Sequence, residues 1–408
     1  MISDWYANAF FQNKKLFDEI SSAPKKEKLN KKLETLLEVD PSLAYNVLAV
    51  CNKDWASELR QLWIQNNSDV DYATKLKEWG VYDFFEQTFA ADKIDLSLLP
   101  RYSFKLCCKF KLKKPYISRG EEDFYIIDNP LTRDMVFRLP CVNPTAWKGN
   151  LRSALRQEGH EDNEDGIIRL FGAKSSVNGN DVFSKGSLHF MPTFFWKSSL
   201  EIINPHDRKR RVGKKPIMFE AVPAGADGSL VLFYIPFVTG NNDERKEVAA
   251  DIGLVAEGVS SMLARYGFGA KTSDGFGIAD IASKEDNYIE INAVISDIGA
   301  GEVLEEPDEC FSKYLDEFGA VKREYLGNGE FGLLSNSEYT SKKDQLGAGS
   351  QNEFKRFRKW YKEWGEKWQE HLNKKKIFRQ TFSTFEEMEN IAIGIGKKLN
   401  EEEIENEH

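Results

Sequence analysis

Apolar residues follow two different periods along the chain, and the change between them divides it. Residues 1–98 carry apolar residues at helical spacing, as at Leu33 and Leu36, with little β-branched alternation. At Tyr102 the period becomes two, and apolar residues alternate with lysines as far as Lys113. The pattern predicts a helical N-terminal module, followed by a half-buried strand that has a basic second face.

Two amphipathic helices are predicted farther along the chain. The apolar stripe of the first is Trp147, Leu151, Ala154 and Leu155, and that of the second, which ends at Tyr266, is Val248, Ile252, Val255, Val259, Met262 and Leu263. Strand patterns lie between the helices at 187–196 and 217–238, and after the second helix at 278–281. We expect 217–238 to be a hairpin, because glycines and an aspartate cluster at 224–229.

The order of these elements indicates an α+β fold. Strand, helix, two strands, helix and strand in succession form the ferredoxin-like βαββαβ sheet, which is the architecture of RNA-recognition domains. We therefore predict a ferredoxin-like (RRM-like) βαββαβ core with insertions, plus helical N-terminal and C-terminal additions. The predicted divisions are a helical module at 1–98, the ferredoxin-like RNA-binding domain at 99–300, an acidic and flexible linker at 301–352, and a C-terminal aromatic-basic helix with an acidic tail at 353–408.

The last predicted helix has an aromatic face. The residues on this side of 354–372 are Phe354, Phe357, Trp360, Tyr361, Trp364 and Trp368. Such a stripe is more often a docking face than a base-stacking platform, so we predict a protein contact, within the chain or with a neighbouring subunit. Truncation before Phe354 is then expected to weaken assembly while the core still folds. The segment 327–351, rich in Gly, Ser and Asn, is typical of a linker or of disorder.

The net charge of −9 argues at first against a nucleic-acid partner, because a dedicated binder usually carries a positive field. The charges are unevenly distributed, however. Acid is concentrated at 302–309 and 401–407, and base at 101–119 and 208–215. A locally basic groove on an acidic protein is compatible with this distribution.

The sequence also bears on two other classes of protein. No stretch approaches the roughly 18 uncharged apolar residues that span a bilayer, and the N-terminus lacks the basic-then-apolar order of a signal peptide. We expect a cytoplasmic protein with no membrane partner. The five cysteines include no Cys-x-x-Cys pair, so neither a disulfide framework nor a metal site is predicted.

A glycine-rich segment follows the second helix. It reads Gly267-Phe268-Gly269, then Ala270, Lys271, Thr272, Ser273 and Asp274, then Gly275-Phe276-Gly277. Glycines at these offsets allow positive φ and a close approach of the backbone to a ligand, so that successive amides can cradle a phosphate. The spacing matches neither the P-loop nor the dinucleotide-binding motif. A tight connection between a helix and a strand is the alternative interpretation.

Three cations lie along one face of the first amphipathic helix. Lys148, Arg152 and Arg156 are spaced i, i+4 and i+8. Lys148 and Arg152 are candidate phosphate contacts, although a solvated helix face is the commoner role of such a pair. We predict that this face and the glycine segment converge on one anion-binding cleft.

Several segments together resemble the RAMP superfamily. The glycine segment resembles its glycine-rich loop, and Lys148-Gly149 followed by Arg152 resembles the opening of its first helix. Further matches, in the expected order, are Leu170-Phe171-Gly172, Lys185-Gly186-Ser187, Ile203-Asn204-Pro205-His206 and 216–225. The resemblance spans about 102–281, and the N- and C-terminal thirds are not covered.

The resemblance implies an RNA-binding backbone subunit of a type III CRISPR effector complex, in which pairing between guide and target supplies sequence recognition. The residues implied to bind the guide RNA are Lys148, Gly149, Arg152, Gly267, Gly269, Lys271, Thr272, Ser273, Gly275 and Gly277. The implied partners are CRISPR guide RNA, target RNA, other RAMP subunits and the large polymerase-like subunit. The helical additions are similar to those of the subunit that caps the 3′ end of the guide in Cmr-type complexes.

Asp128 is the residue with potential chemistry. The segment 127–134 resembles the loop in which repeated backbone subunits of these complexes hold an RNA-cleaving aspartate. Asp128 would then hold a divalent metal (Mg) or assist attack by the 2′-hydroxyl, and no intrinsic cofactor is expected. The alternative is an Asx turn before Pro130. His160 is the one candidate for a His-dependent RNase, and it lies in an acidic run.

Three functions therefore stay open at the level of sequence. The leading hypothesis is a structural RNA-binding subunit of an antiviral ribonucleoprotein. The second is a metal-dependent target-RNA endoribonuclease that uses Asp128, and the third is a CRISPR-independent RNA-binding scaffold.

Overall fold

The computed structural model describes residues 5–24, 29–88, 93–121, 125–177, 180–204, 206–207, 212–213, 216–237, 244–282, 286–293, 295, 309–315, 320–329, 332–346 and 349–406. Two predicted charge clusters fall largely elsewhere. Of the basic segment 208–215 only 212–213 are described, and of the acidic segment 302–309 only Glu309.

Helices and strands alternate irregularly along the chain. The helices are α1 (Trp5–Ser22), α2 (Asn30–Val39), α3 (Pro41–Cys51), α4 (Lys53–Asn66), α5 (Tyr72–Glu78), α6 (Tyr82–Thr88), α7 (Pro144–Glu158), α8 (Asp165–Phe171), α9 (Glu244–Ser260), α10 (Asn336–Leu346), α11 (Gln351–Lys376) and α12 (Phe385–Asn406). The strands are β1 (Asp69–Asp71), β2 (Phe104–Leu112), β3 (Cys141–Val142), β4 (Lys174–Val177), β5 (Asn180–Phe183), β6 (Leu188–Phe190), β7 (Thr193–Phe194), β8 (Lys197–Ile203), β9 (His206–Asp207), β10 (Val212–Gly213), β11 (Ile217–Ala221), β12 (Asp227–Tyr234), β13 (Ala279–Ile281), β14 (Tyr288–Asn292) and β15 (Ile377–Thr381).

The N-terminal segment is helical, with its own apolar core. Leu33 and Leu36 of α2 are buried among residues of α1, α3 and α4. The Asp40 carboxylate caps α3 by accepting a hydrogen bond from the Leu43 amide at 2.6 Å, and Pro41 occupies the first helical position. Ile126 and Ile127, from a distant loop, complete this core. The N-terminal helices therefore pack directly on the loop that carries Asp128.

The central sheet has the predicted ferredoxin-like arrangement. Strands β14, β2, β12 and β6 lie side by side in that order, and each neighbouring pair is antiparallel. In chain order this is strand, helix α7, two strands, helix α9 and strand. The even-numbered apolar residues of β2, from Phe104 to Leu112, pack with α7 and α9 in one cluster. The predicted fold class is confirmed.

Both amphipathic helices form as their apolar spacing predicts. The α7 stripe Trp147, Leu151, Ala154 and Leu155 is buried, and so is the α9 stripe. After Ser260 the second helix continues as a turn of π-helix, Ser261–Tyr266, which ends at Gly267 as expected. A Cβ at Gly258 would lie 2.8 Å from Leu151 Cδ1, so this glycine lets α9 approach α7 closely.

The hairpin that we predicted at 217–238 is wrong. Both strands form, but β11 pairs with β8 in a separate three-stranded sheet, whereas β12 pairs with β2 and β6. The predicted turn exists, with Gly225 at φ +83°. The Ala226 amide closes this turn by donating to Pro223 O at 3.2 Å, and the Gly225 amide donates to Leu112 O of β2 at 2.7 Å. Turn residues were identified correctly, but strand partners depend on residues far away in the sequence.

The last strand of the core is longer than predicted. The predicted strand 278–281 contains β13, which pairs with the end of β2 at Phe110–Leu112. The strand that pairs with the first half of β2 is β14. Beyond β14 the sheet gains β15, whose residue Ile377 pairs with Asn292. The C-terminal segment thus completes the sheet of the core.

The C-terminal third differs from the prediction of a linker and a tail. Within 301–352, the described residues include short helices at Glu309–Tyr314 and Arg323–Tyr325 as well as α10. Phe311, Tyr314 and Tyr339 are buried against the aromatic face of α11. Most of the aromatic stripe is therefore covered from within the chain, which is one of the two contacts we predicted, whereas Trp364 is exposed. The prediction of a flexible linker is wrong for these residues, because their aromatic side chains pack against α11.

The predicted acidic tail begins inside a helix. Helix α12 runs as far as Asn406 and packs along α9, where a Cβ at Gly396 would lie 2.5 Å from Ala249 O. Met388, Ala392, Ile395 and Leu399 belong to the main core. A truncation before Phe354 would remove α12 and β15, so the expectation that the core folds without them does not fit this structure.

Candidate nucleic-acid interface

Helix α7 and the glycine segment meet directly. The Trp147 indole is fully buried, with its centroid 4.6 Å from that of the Phe268 ring. One turn farther along, the Gly269 amide donates a hydrogen bond to Asn150 Oδ1 at 3.2 Å. The face of α7 near Lys148 and the glycine segment are therefore neighbours, as the sequence predicts.

Most of the glycine segment is shaped by contacts within the chain. Gly267, Gly269, Gly275 and Gly277 all have positive φ. A Cβ at Gly277 would lie 2.0 Å from Phe268 O, and one at Gly269 would lie 2.5 Å from Ile117 O. The amides of Ala270 and Gly277 donate to Ile117 O and Pro115 O. At these positions the glycines serve a tight connection, which is the alternative interpretation of the motif.

The tip of the segment is different. Lys271 is a non-glycine residue at φ +60°, and it precedes a single short turn, Thr272–Asp274. The amides of Lys271, Thr272 and Ser273 have no acceptor among the described residues. Lys271 and Ser273 are exposed, and the Lys271 ammonium lies 5.7 Å from the Phe219 ring centroid. An anion at this tip would meet free donors and one cation.

The cations of α7 differ in their partners. Arg152 Nε and Arg156 Nε donate to the same Asp162 Oδ1, at 3.0 and 2.8 Å. Lys148, one turn before Arg152, has no carboxylate partner in the described part of the chain. Partial burial, and then the charge of Arg152, lowers the pKa of Lys148. A phosphate beside Lys148 would relieve this repulsion.

Gly149 is exposed on the same helix. No atom lies within 4 Å of the position that a Cβ would occupy there. We call Lys148, Gly149 and Arg152 of α7, taken together with the tip residues 271–273, the helix–loop interface.

The basic face of β2 is a weaker candidate than its sequence indicates, since its lysines are paired. Lys109, Lys111 and Lys113 lie within ion-pair distance of Asp286, Asp227 and Asp280, at 3.0, 3.5 and 2.7 Å. Lys105 is 2% exposed, and its ammonium lies 3.4 Å from Glu290 Oε1. These carboxylates neutralise the strand that the sequence alone makes appear positive.

Asp128 stands on an anchored loop. On one side Ile126 and Ile127 are buried among the N-terminal helices, and on the other the Glu220 amide donates to Asn129 O at 3.0 Å. The Asp128 side chain is nevertheless 79% exposed, with Arg60 Nη2 3.2 Å from its Oδ2. A reactive or phosphate-facing carboxylate is compatible with this arrangement.

A buried polar network supports the loop from below. Glu220 Oε2 accepts hydrogen bonds from Arg133 Nη1 at 2.7 Å and from the Leu131 amide at 3.0 Å. Tyr125 donates to the other carboxylate oxygen at 2.8 Å, and Arg133 Nη2 donates to the Tyr72 hydroxyl at 3.2 Å. Burial lowers the pKa of the Arg133 guanidinium, but the charge of Glu220 and the neighbouring tyrosines outweigh it, so that the net shift of this pKa is upward and Arg133 stays positively charged.

A metal would find few ligands at these sites. The described residues contain no group of three or more His, Cys, Asp or Glu side chains that could hold a metal ion. His160, the weak RNase candidate, lies between Glu164 and Glu257 at 3.0 and 3.4 Å. A hydrogen bond from the His160 ring to the Glu164 carboxylate raises the pKa of the imidazole. This imidazole links α7 to α8 and α9, which is a structural role.

Comparison with known sequences identifies the region that carries the helix–loop interface. Residues 109–280 match the sequence model of the RAMP superfamily. This part of the chain is similar to the RAMP superfamily, and we call it the RAMP domain. The match runs from within β2 to β13 and contains α7, the glycine segment and Asp128. The RAMP domain thus includes the sequence-predicted site residues, whereas α1–α6, β14, β15 and α10–α12 lie outside the match.

Curated proteins and solved structures were also compared with the chain. No curated protein matches the sequence. Among solved structures, a chain of the cryo-EM structure of the Type III-B Cmr-beta bound to cognate target RNA is similar at 13% identity and a TM-score of 0.39, over 69% of this chain and 92% of its own. A likeness at that TM-score carries no functional argument. Among the described helices, none has the length and apolar character that a bilayer crossing requires.

Sequence reasoning missed three residues that shape these sites. Asn150 joins α7 to the glycine segment, Asp162 pairs with two arginines, and Arg60 reaches Asp128 from the N-terminal helices. Asn150 lies next to Gly149 in the motif and could have been noticed. Nothing in the sequence near Arg60 points to Asp128, because the two residues are brought together only by the fold.

Proposed function

We propose that this chain is an RNA-binding subunit of a type III CRISPR effector ribonucleoprotein, and that the helix–loop interface grips the backbone of the guide RNA. The RAMP domain supports this assignment, and so do Lys148 and the tip amides, which have no carboxylate or acceptor partner among the residues that the structure describes. Guide RNA, target RNA, further RAMP subunits and a polymerase-like large subunit are the proposed partners.

One observation carries the proposal most directly. Gly149 lies in the interior of α7, where a glycine costs about 0.5–1 kcal/mol relative to alanine. No neighbouring side chain or backbone of the described residues requires a glycine here, because a Cβ at Gly149 would have no described atom of another segment within 4 Å. A strand of RNA lying on the helix supplies a reason for this glycine, since its backbone would need the same space. The neighbouring Lys148 would then face a phosphate.

A pair of glycine variants tests the proposal. Gly253 in α9 is also a helical glycine with no atom within 4 Å, so Gly253→Ala is a matched control for Gly149→Ala. Both substitutions should stabilise the fold slightly, by about 0.5–1 kcal/mol. Only Gly149→Ala should reduce the small RNA that copurifies with the tagged full chain, measured per mole of protein and identified by sequencing. Equal RNA in the two variants would contradict the proposal.

The charge of the interface gives an independent test. Lys148→Ala should weaken binding of a single-stranded RNA and lower the slope of log affinity against log salt by about 0.7, the value for one phosphate contact on a single strand. If the copurifying RNA carries no common repeat-derived end, the chain is better described as a CRISPR-independent RNA-binding scaffold.

A second candidate function is cleavage of target RNA with Asp128. The observation that favours it is a carboxylate that is exposed while both flanking segments are anchored. Because the described residues form no three-ligand metal group, an Mg²⁺ ion there would be held by Asp128 together with RNA phosphate oxygens. Asp128→Asn should then abolish cleavage in the assembled complex while RNA binding persists. An Asp128→Asn complex that cuts at every site would exclude the role.

A further inference from the structure

A short stretch, 115–120, lies between the glycine segment and the loop of Asp128. On one side Ile117 O accepts a hydrogen bond from the Ala270 amide at 2.7 Å, and Pro115 O accepts one from the Gly277 amide at 2.9 Å. The stretch therefore follows the glycine segment closely. It is one of the segments that join the glycine segment to the rest of the RAMP domain.

On the other side the same stretch is bonded to the Asp128 loop. The Gly120 amide donates to Pro130 O at 2.8 Å, and the Thr132 amide donates to Ser118 Oγ at 2.9 Å. The Thr132 hydroxyl donates to Arg119 O at 3.1 Å. The backbone of Arg119 is thus held by contacts before, at and after it, midway between two candidate RNA contacts.

The Arg119 side chain is exposed and has no carboxylate partner in the described part of the chain. This distinguishes it from the lysines of the preceding strand. Lys113, only a few residues earlier, is 59% exposed and lies 2.7 Å from Asp280 Oδ2. Of the two, Arg119 is the cation whose charge is available to an outside anion. Its planar guanidinium suits bidentate contact with a phosphate.

We infer that Arg119 binds a backbone phosphate of an RNA strand that runs from the helix–loop interface to Asp128. The inference rests on the proposed function and extends it, because it gives the path that the RNA takes across the domain. Arg119 would hold the strand beside the exposed carboxylate, and Arg60 would stand at the far side of that carboxylate.

The test compares Arg119→Ala with Lys113→Ala in the full chain. Both variants remove one positive charge from an exposed side chain, and the two positions are six residues apart in the sequence. Binding of a fluorescein-labelled single-stranded RNA of about 20 nucleotides is measured by anisotropy from 50 to 300 mM KCl, with a thermal melt to confirm folding. Arg119→Ala should weaken binding about tenfold and lower the salt slope by about 0.7, whereas Lys113→Ala should change affinity less than about twofold.

The outcomes separate the inference from the proposed function. Equal affinities for the two variants, with Lys148→Ala still weakened, would overturn the role of Arg119 and leave the helix–loop interface in place. If neither Arg119→Ala nor Lys148→Ala differs from the unaltered chain, both proposals are overturned. Partial recovery in Arg119→Lys, which keeps the charge but not the fork, supports phosphate contact at this position.

Discussion

The Gly269 amide donates a hydrogen bond to Asn150 Oδ1 at 3.2 Å, across more than one hundred residues of sequence. This bond sets the distance between the cationic face of α7 and the tip of the glycine segment. Asn150→Ala removes the acceptor without disturbing the buried stripe of the helix. We expect RNA affinity to fall by about 1 kcal/mol, the net value of one hydrogen bond. Anisotropy measures it, with Ser153→Ala on the same helix as control. Equal affinity for both variants would show that the bond is dispensable.

Two glycines of the same segment should respond differently to alanine. Gly275→Ala introduces a positive φ at an alanine but meets no atom within 4 Å, so it should lower the free energy of unfolding by about 1 kcal/mol. Gly277→Ala places a Cβ 2.0 Å from Phe268 O and should cost considerably more. Urea denaturation of the two variants measures the difference. Similar midpoints would mean that the segment relaxes easily.

Asp162 should restrain RNA binding. Its carboxylate accepts from both Arg152 and Arg156, and the hydrogen bond from Arg156 lowers its pKa, so it is charged at neutral pH. Asp162→Asn should therefore strengthen RNA binding several-fold at low salt and less at high salt. Asp165→Asn, an equal change of charge in α8, is the control. Weaker binding by Asp162→Asn would instead mean that the carboxylate positions the arginines.

His160 should make stability depend on pH. Hydrogen bonds from the His160 ring, first to the Glu164 carboxylate and then to Glu257, raise the pKa of the imidazole above the ordinary value near 6.5. The protonated form is thus favoured in the folded state, and its stabilisation is complete below pH 6 and disappears as the pH rises through the raised pKa. His160→Gln should be less stable than the unaltered chain at pH 5.5 and nearly equal at pH 9, by urea midpoint. Glu164→Gln should reduce the same difference, and a constant difference across pH would contradict the account.

Strand β15 and helix α12 should be needed for folding, but the segment between β14 and β15 should not. Asn292 and Ile377 are paired across β14 and β15, so residues 296–376 leave the sheet and return to an adjacent position. Replacing 297–376 by a short turn such as Asn-Gly should preserve a cooperative thermal transition. Ending the chain at residue 352 removes α12 and β15 and should abolish it. A cooperative transition in the truncated chain would contradict the role of α12.

Much of the RAMP-like core follows from local sequence patterns. Strand β2 and the buried faces of α7 and α9 are set by periods of two and about 3.6 residues, which depend on near neighbours. The order of these elements then predicts the ferredoxin-like sheet. Strand pairs between residues far apart in the sequence were harder to predict. The partners of β11 and β12 differ although the strands are consecutive, and β15 joins the sheet after a long excursion.

In the candidate site too, features set by nearby residues could be predicted and contacts between distant residues could not. The glycine segment, Lys148 and Arg152 were identified from residue types and spacing, and the structure brings α7 and the glycine segment together through Trp147 and Asn150. The pairing of the β2 lysines with aspartates could not be predicted, because those aspartates come from other strands and loops. The aromatic residues between 309 and 346 were too sparse to suggest a core, since their partner face lies on α11.

Asp128 lies at the exposed tip of a loop whose residues on both sides are anchored by packing and hydrogen bonds. Ile126 and Ile127 cannot leave the N-terminal core without exposing apolar surface, and Glu220 secures the following residues. Asp128 itself makes one solvent-exposed ion pair, which costs little to lose. A single exchange at the apex therefore changes the charge that this loop presents to solvent, while the anchored flanks keep its position the same.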